Sequence, residues 1–219
     1  MPAVASAQDF ERGYAAVQAG DYQAALHEWM PLAERGHAYA QAMLAVMYHK
    51  GEGVPQDYAA AAKWYRLAAE QGIMIAQVEL GKMHYFGKGI PQDYAAAAKW
   101  YRLAAEQGHA EGQHGLGMMY QSGQGVLQDY AAGVEWYRLA AEQGLATAQQ
   151  LLGFSYLLGQ GVLKDFILAH MWLNISAANG NADAASYRDK ISAEMSGPDI
   201  SIAQERAKVC LESNYQSCD

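Results

Sequence analysis

The chain is poor in charge and in cysteine, and it lacks any long apolar run. Charged residues make up 17% of its 219 positions, the formal net charge is −8, and Lys and Arg nowhere gather into a stripe. Such a surface does not displace counterions from a phosphate backbone, so nucleic acid and anionic membrane are poor partners. Gly, Gln, Asp, Lys or Arg interrupts every helical stretch before eighteen apolar residues accumulate, which excludes a membrane-spanning helix. The two cysteines, Cys210 and Cys218, fall in the last ten residues and read as a staple rather than as a metal or catalytic pair. What is present is a composition 52% hydrophobic, with Ala roughly a fifth of the chain. That supplies a core and excludes disorder and collagen.

The N-terminus also has little of what an export signal needs. Ala3-Val4-Ala5-Ser6-Ala7 has the small-residue alternation of a cleavage region, but the charged and apolar segments that precede one are missing. Residues 1–7 are therefore read as a residual tail, either left from an export signal or simply Ala-rich with no export history. The cysteine pair favours export, and a periplasmic or secreted location is expected.

Four steps of 36 connect Asp21, Asp57, Asp93, Asp129 and Asp165, and 219 residues hold just over six such periods. A repeat array follows. Residues 55–72 recur without change at 91–108, and Trp64, Trp100, Trp136 and Trp172 fall 36 apart. Exact recurrence reads these tryptophans as core. The first copy departs, with Trp29 one position late and Pro31 following it. Each segment opens on an Asp suited to cap free backbone amides and ends at a Gly that tolerates a left-handed stop, so each is one helix. A second helix is marked by spacings of three and four, as in Ala40-Gln41, Leu44-Ala45 and Met47-Tyr48, and a Gly-x-Gly turn follows it. The unit is a helical hairpin. Gly or Ala at Ala45, Gly81, Gly117 and Gly153 is expected where two helices cross with no room for a side chain.

These residues resemble the Sel1-like repeats, a subclass of the tetratricopeptide-like solenoids, in an exported bacterial form. Residues 37–180 carry four units of the pattern, residues 8–36 look like an N-terminal capping hairpin, and residues 181–213 like a C-terminal one with Arg188 and Asp189 where Leu and Gly would sit. The tail, residues 214–219, resembles the ends of exported members, with Cys218 bonded to Cys210. The resemblance implies an all-α, right-handed α/α superhelical solenoid of about twelve helices that binds other proteins. A redox role for the cysteines would need a basic neighbour, for which Lys208 is the sole candidate close in sequence.

Chemistry finds no footing. His27-Glu28 lacks the second histidine of a zincin motif because Pro31 stands there, and His109 and His114, five apart around Glu111, lie on different helix faces. Residues 153–156 are not a nucleophile elbow, and the Gly-x-Gly pairs follow no strand and precede no Lys-Ser/Thr. No catalytic residue, metal or cofactor is expected. A cysteine-rich branch of the same family is linked to β-lactams, but its repeats carry cysteine pairs and these carry none. A glycan or small-molecule binder is the remaining alternative.

Function is then sought in columns that do not repeat. One holds Met43, Glu79, Gly115 and Leu151; another Val46, Lys82, Met118 and Phe154; a third His49, Tyr85, Gln121 and Leu157; a fourth Lys50, Phe86, Ser122 and Leu158. All lie on the first helix of the hairpin, which in such solenoids lines a concave surface. Met43, Val46, His49, Glu79, Lys82, Tyr85, Met118, Gln121, Phe154 and Leu157 are the expected contacts to a partner polypeptide. Tyr85, Met118 and Phe154 are the anchors, and Lys50, Lys82 and Glu79 the charged rim. Phe86 and Leu158 suit core or groove equally. Replacing Met118 and Phe154 together by Ser is expected to leave melting largely intact.

Overall fold

The computed structural model describes residues 2–218, with side chains from residue 8 onward, and every regular element among them is an α-helix. There are twelve: α1 (Pro2–Gln18), α2 (Tyr22–Glu34), α3 (Ala38–Lys50), α4 (Tyr58–Glu70), α5 (Met74–Phe86), α6 (Tyr94–Glu106), α7 (Ala110–Ser122), α8 (Tyr130–Ala141), α9 (Ala146–Leu158), α10 (Phe166–Ala178), α11 (Ala182–Ser192) and α12 (Gly197–Glu212). They form an all-α solenoid of consecutive helical hairpins. Two compact units divide the chain, Met1–Ala104 and Ala105–Asp219. The residual-tail reading falls largely on Met1 and on the side chains of residues 2–7, which lie outside the described residues.

In the first unit each helix packs on the next, α1 on α2 and so on to α5; in the second the same order runs from α7 to α11. The aspartates act as expected. Asp21, Asp57, Asp129 and Asp165 each accept a hydrogen bond from a first-turn amide two or three residues on, and Asn181 does so for α11. Four first helices stop at Gly51, Gly87, Gly123 and Gly159, whose φ values of 78°, 67°, 72° and 68° favour glycine. The second glycine of each pair has a different task. A side chain at Gly89 would run into the backbone of Tyr58, so the turn can lie directly on the start of α4.

The glycine column is required by an aromatic ring. A Cβ on Gly81 would meet the Tyr101 ring at 2.9 Å, and one on Gly117 would meet the Tyr137 ring at 2.7 Å and the Gly133 carbonyl at 3.1 Å. Tyr65, Tyr101 and Tyr137 are thus the buried aromatics of the repeat. This corrects the tryptophan reading: Trp64, Trp100 and Trp136 are half-buried, and of that column only Trp172 is fully enclosed. Neighbouring positions on a helix point about 100° apart, so a Trp-Tyr pair cannot send both rings into one seam. Trp29 accordingly belongs to the tyrosine column, 36 before Tyr65; it is buried, its ring lies on Gly13, and its indole N–H donates to the Phe10 carbonyl at 3.1 Å.

A buried glutamine ladder explains the Ala-Gln of each first helix. The Gln41, Gln77 and Gln149 amides donate to the carbonyls of Ala33, Ala69 and Ala141 at 3.0, 3.1 and 3.0 Å, each eight residues back at the end of the preceding helix. The oxygens of this column accept from the end of the second helix of the same hairpin: Gln71 donates to Gln41 and Gln143 to Gln113, both at 2.7 Å, and Asn179 donates to Gln149 at 2.9 Å. The carbonyls of Ala33, Ala69 and Ala141 also accept the backbone amide of the glycine three residues on, Gly36, Gly72 or Gly144, so the glutamine supplies a second, buried bond to the helix end.

The C-terminal end departs from the repeat. α12 packs on α10, with Ala203, Ala207 and Cys210 buried along one stripe. Arg188, at the leucine position, stays partly exposed and donates to Asn174 at 2.9 Å. Cys210 and Cys218 are joined, and Tyr215 between them accepts a hydrogen bond from Asn179 at 2.8 Å while its ring rests on Gly144.

Candidate interaction face of the first helices

In the first unit, α3 presents Met43, Val46 and His49, and α5 presents Glu79, Lys82 and Tyr85; all six are half-buried. An open cleft of about 320 Å³ lies between these helices, lined by Val46, His49, Lys50, Tyr65, Ile75 and Glu79. Its floor is apolar and its rim is charged. Lys82 pairs with Glu79 at 2.8 Å, and Lys50 with Glu52 at 3.8 Å. Lys88, from the turn after α5, reaches His49 Nε2 at 3.4 Å and lies 4.0 Å from the centre of the Tyr58 ring. Burial holds the His49 imidazole below its ordinary value, the nearby Lys88, Lys82 and Lys50 add to that, and Glu79 opposes it. A neutral His49 accepts from Lys88 at Nε2, which leaves its proton on Nδ1. Burial likewise raises the Tyr65 phenol.

Tyr85 stands edge-on to Phe86 and to Tyr94, at 4.9 and 5.3 Å between ring centres. Phe86 is 69% exposed and Leu158 61%, so neither is core. Ile75, at 56% exposure, extends the apolar surface beside the cleft.

The second unit uses its columns differently. Met118, Phe154 and Leu157 all pack against the buried cluster around Leu152, Tyr156 and Leu173. The expectation that Met118 and Phe154 could both become Ser without loss of stability is therefore withdrawn: truncating two half-buried side chains there costs about 2–4 kcal/mol. Gln121 is turned toward α8, its amide donating to the Tyr130 carbonyl at 3.4 Å in space that Gly133 leaves open. Phe154 meets the Tyr187 ring edge-on at 4.7 Å, and Lys190 lies 5.0 Å from the centre of that ring. Tyr187 and Lys190 were missed in the sequence, although they fall 36 after Leu151 and Phe154. Arg188 and Asp189 between them hid the register.

The other candidates resolve individually. His37 caps α3, its Nδ1 accepting from Ala40 at 3.2 Å, while His109 opens α7 without a side-chain cap. Among the described residues no three His, Cys, Asp or Glu side chains come close enough to share a metal ion. No described helix is long and apolar enough to cross a membrane.

Stacked hairpins that bury one set of recurring residues and display a varied set on their first helices define a helical-repeat scaffold. The chain belongs to the Sel1 repeat family, whose model matches residues 38–73, 75–109, 110–145 and 146–181. It is similar to a Sel1 repeat protein from Oxalobacter formigenes, at 35% identity over 83% of this chain and 74% of that one, with a TM-score of 0.77. It is also similar to a protective antigen present in uropathogenic Escherichia coli strains, at 31% identity over 95% of this chain and 54% of the other, with a TM-score of 0.63. This chain thus spans about half of that antigen's length. A Sel1 repeat protein from Klebsiella pneumoniae shares the fold at 23% identity, over 85% of this chain and 93% of that one, with a TM-score of 0.53. No curated protein matches the chain. The repeat fold typically serves as a protein-interaction scaffold, and its members are generally non-catalytic.

Proposed function

We propose that this chain is a non-catalytic scaffold that holds a segment of another polypeptide against its first-helix faces, outside the bacterial cytoplasm. The observation that carries the reading is the α3–α5 cleft: recurring residues such as Leu44 and Leu80 are fully buried beneath it, while the unrepeated Val46, His49 and Glu79 line it. A partner side chain entering the cleft would bury apolar surface against Val46, Ile75 and Tyr65. The Lys82–Glu79 pair and Lys88 would then discriminate by charge at the rim. The joined Cys210 and Cys218 support an oxidising compartment. Oligomeric state plays no part in the reading.

The test is affinity capture from envelope extract of the source organism, with wild-type protein and an Ile75→Ser/Phe86→Ser variant run side by side. Both positions are exposed, so the variant should melt like wild type. A protein retained by wild type and lost from the variant supports the reading. A protein retained equally by both places the interaction elsewhere.

A further inference from the structure

We propose that the outer stripe of α4 is a second docking site, which takes an acidic amphipathic helix from a partner protein. This inference is independent of the first-helix face. An open cleft of about 490 Å³ runs along α4, lined by Ala59, Ala62, Lys63, Arg66 and Leu67 and closed at one side by Ile90 of the turn after α5. Spacings of three and four put these α4 residues on one stripe. Leu67 is 43% exposed, and among the described residues neither Lys63 nor Arg66 makes an ion pair or a hydrogen bond. In a chain of net charge −8, two adjacent cations without an acid partner above an apolar floor call for a carboxylate-bearing occupant.

The chain itself shows what kind of element covers this stripe. One hundred and eight residues on, three periods of 36, the same positions of α10 are His170, Met171 and Ile175, at 1%, 0% and 0% exposure. Of these, His170 meets Ser192 of α11 at 3.1 Å, while Met171 and Ile175 share a buried cluster with Ala207 and Cys210 of α12, which packs on α10. A helix whose contact stripe is small can therefore lie along part of this face, whereas on α4 the equivalent Lys63 and Leu67 stay exposed. α8 lacks the combination: Glu135 stands in place of Lys63, and Arg138 donates to the Tyr156 hydroxyl at 3.1 Å. The occupant of the α4 stripe has small apolar residues four apart toward Leu67 and Ile90. Carboxylates flank them to meet Lys63 and to take the planar fork of Arg66.

The probe is a labelled synthetic peptide with the sequence of residues 197–212 carrying Q204E, R206E and C210A. It keeps the Ala203 and Ala207 stripe and adds acids on either flank. A counterpart with Q204K, E205K, R206K and C210A is the charge-reversed control. In anisotropy titrations with the full chain, the acidic peptide should bind wild type, weaken as salt rises, and lose about tenfold or more in affinity for K63E/R66E. L67E, equally exposed, should weaken it too and guards against a folding defect in the double variant. The basic peptide should prefer K63E/R66E. Failure of the acidic peptide to bind wild type, or equal binding to wild type and K63E/R66E, overturns the proposal.

Discussion

Replacing Gln149 by Glu changes one atom pair at a position that is 0% exposed, and its cost depends on pH in a way that tests the glutamine ladder. The Gln149 amide donates to the Ala141 carbonyl at 3.0 Å, and its oxygen accepts from Asn179 at 2.9 Å. An ionised carboxylate keeps the second bond but turns an oxygen toward the Ala141 carbonyl, so the folded state raises the carboxyl's proton affinity by burial and by the lost donor. The unfolded carboxyl titrates near its ordinary value of about 4.3. If the new carboxyl stays protonated in the fold at pH 7, each pH unit above that value costs about 1.4 kcal/mol, or about 3.7 kcal/mol in all. Because the folded group holds its proton more tightly, the penalty is present above the unfolded value and vanishes as pH falls below it, where the protonated acid can donate to Ala141 as the amide did. At about 2–4 °C per kcal/mol for a chain of this size, Q149E should melt about 7–15 °C below wild type at pH 7 and close to it near pH 4. Gln160 is exposed and outside the ladder, and Q160E should cost under about 1 kcal/mol at either pH. Thermal melts by circular dichroism against wild type at each pH decide the matter. A Q149E deficit that does not shrink on acidification, or a Q160E deficit as large, would refute the ladder as a buried, donor-dependent contact.

Other expectations follow from single contacts. Gly117→Ala should cost about 1–3 kcal/mol, because the Tyr137 ring and the Gly133 carbonyl both crowd the added methyl; a neutral melt would show that the seam can widen. C210S/C218S should lower stability by about 2–3 kcal/mol and release Tyr215 from Asn179, read as faster exchange of the tail amides, whereas two free thiols in denatured, unreduced wild type would remove the bond from the account. The His170 imidazole is pushed down by burial and by Arg188, while Asp189 opposes this, and Ser192 is its hydrogen-bonded neighbour. The unfolded chain therefore takes up the proton first, stability falls as pH drops below about 6.5, and H170Q should flatten that slope between pH 6.5 and 5.5. An unchanged slope would show that His170 is charged in the fold or does not titrate there.

The sequence carried the fold almost whole, because period, cap and stop are local signals: Asp57 caps whatever follows it, and Gly87 turns left wherever a helix ends. Which aromatic lies inside was not local. Trp64 and Tyr65 are adjacent and recur equally, and only the neighbouring helix, with Gly81 opposite Tyr101, decides between the two faces. The glutamine ladder was invisible for a related reason, since the partner of Gln41 is a backbone carbonyl that any residue at position 33 would supply. The candidate face was half legible. Variation separated Val46, His49 and Glu79 from the core, and these line a cleft; the same variation at Met118 and Phe154 concealed contact with the second unit's core, where Tyr187 of α11 covers part of Phe154. A column can vary because it is displayed or because each neighbour differs, and sequence alone does not separate the two.

That distinction bears on the second helices in the opposite sense. In α4 only Ala61, Ala62, Tyr65, Ala68 and Ala69 are buried, so packing constrains fewer than half of its thirteen positions. Yet residues 55–72 and 91–108 agree at every position, the exposed Lys63 and Arg66 included. Stability does not require a particular cation at an exposed site, where most substitutions change it by under about 0.5 kcal/mol. α8 shows the latitude, keeping the buried tyrosine while exchanging Lys for Glu135. On the first helices, then, departure from the repeat marks residues released from packing. On α4 the exposed Ala59, Lys63, Arg66, Leu67 and Glu70 all repeat without being buried, and all but Glu70 line the open cleft, with Lys63 and Arg66 as its cations.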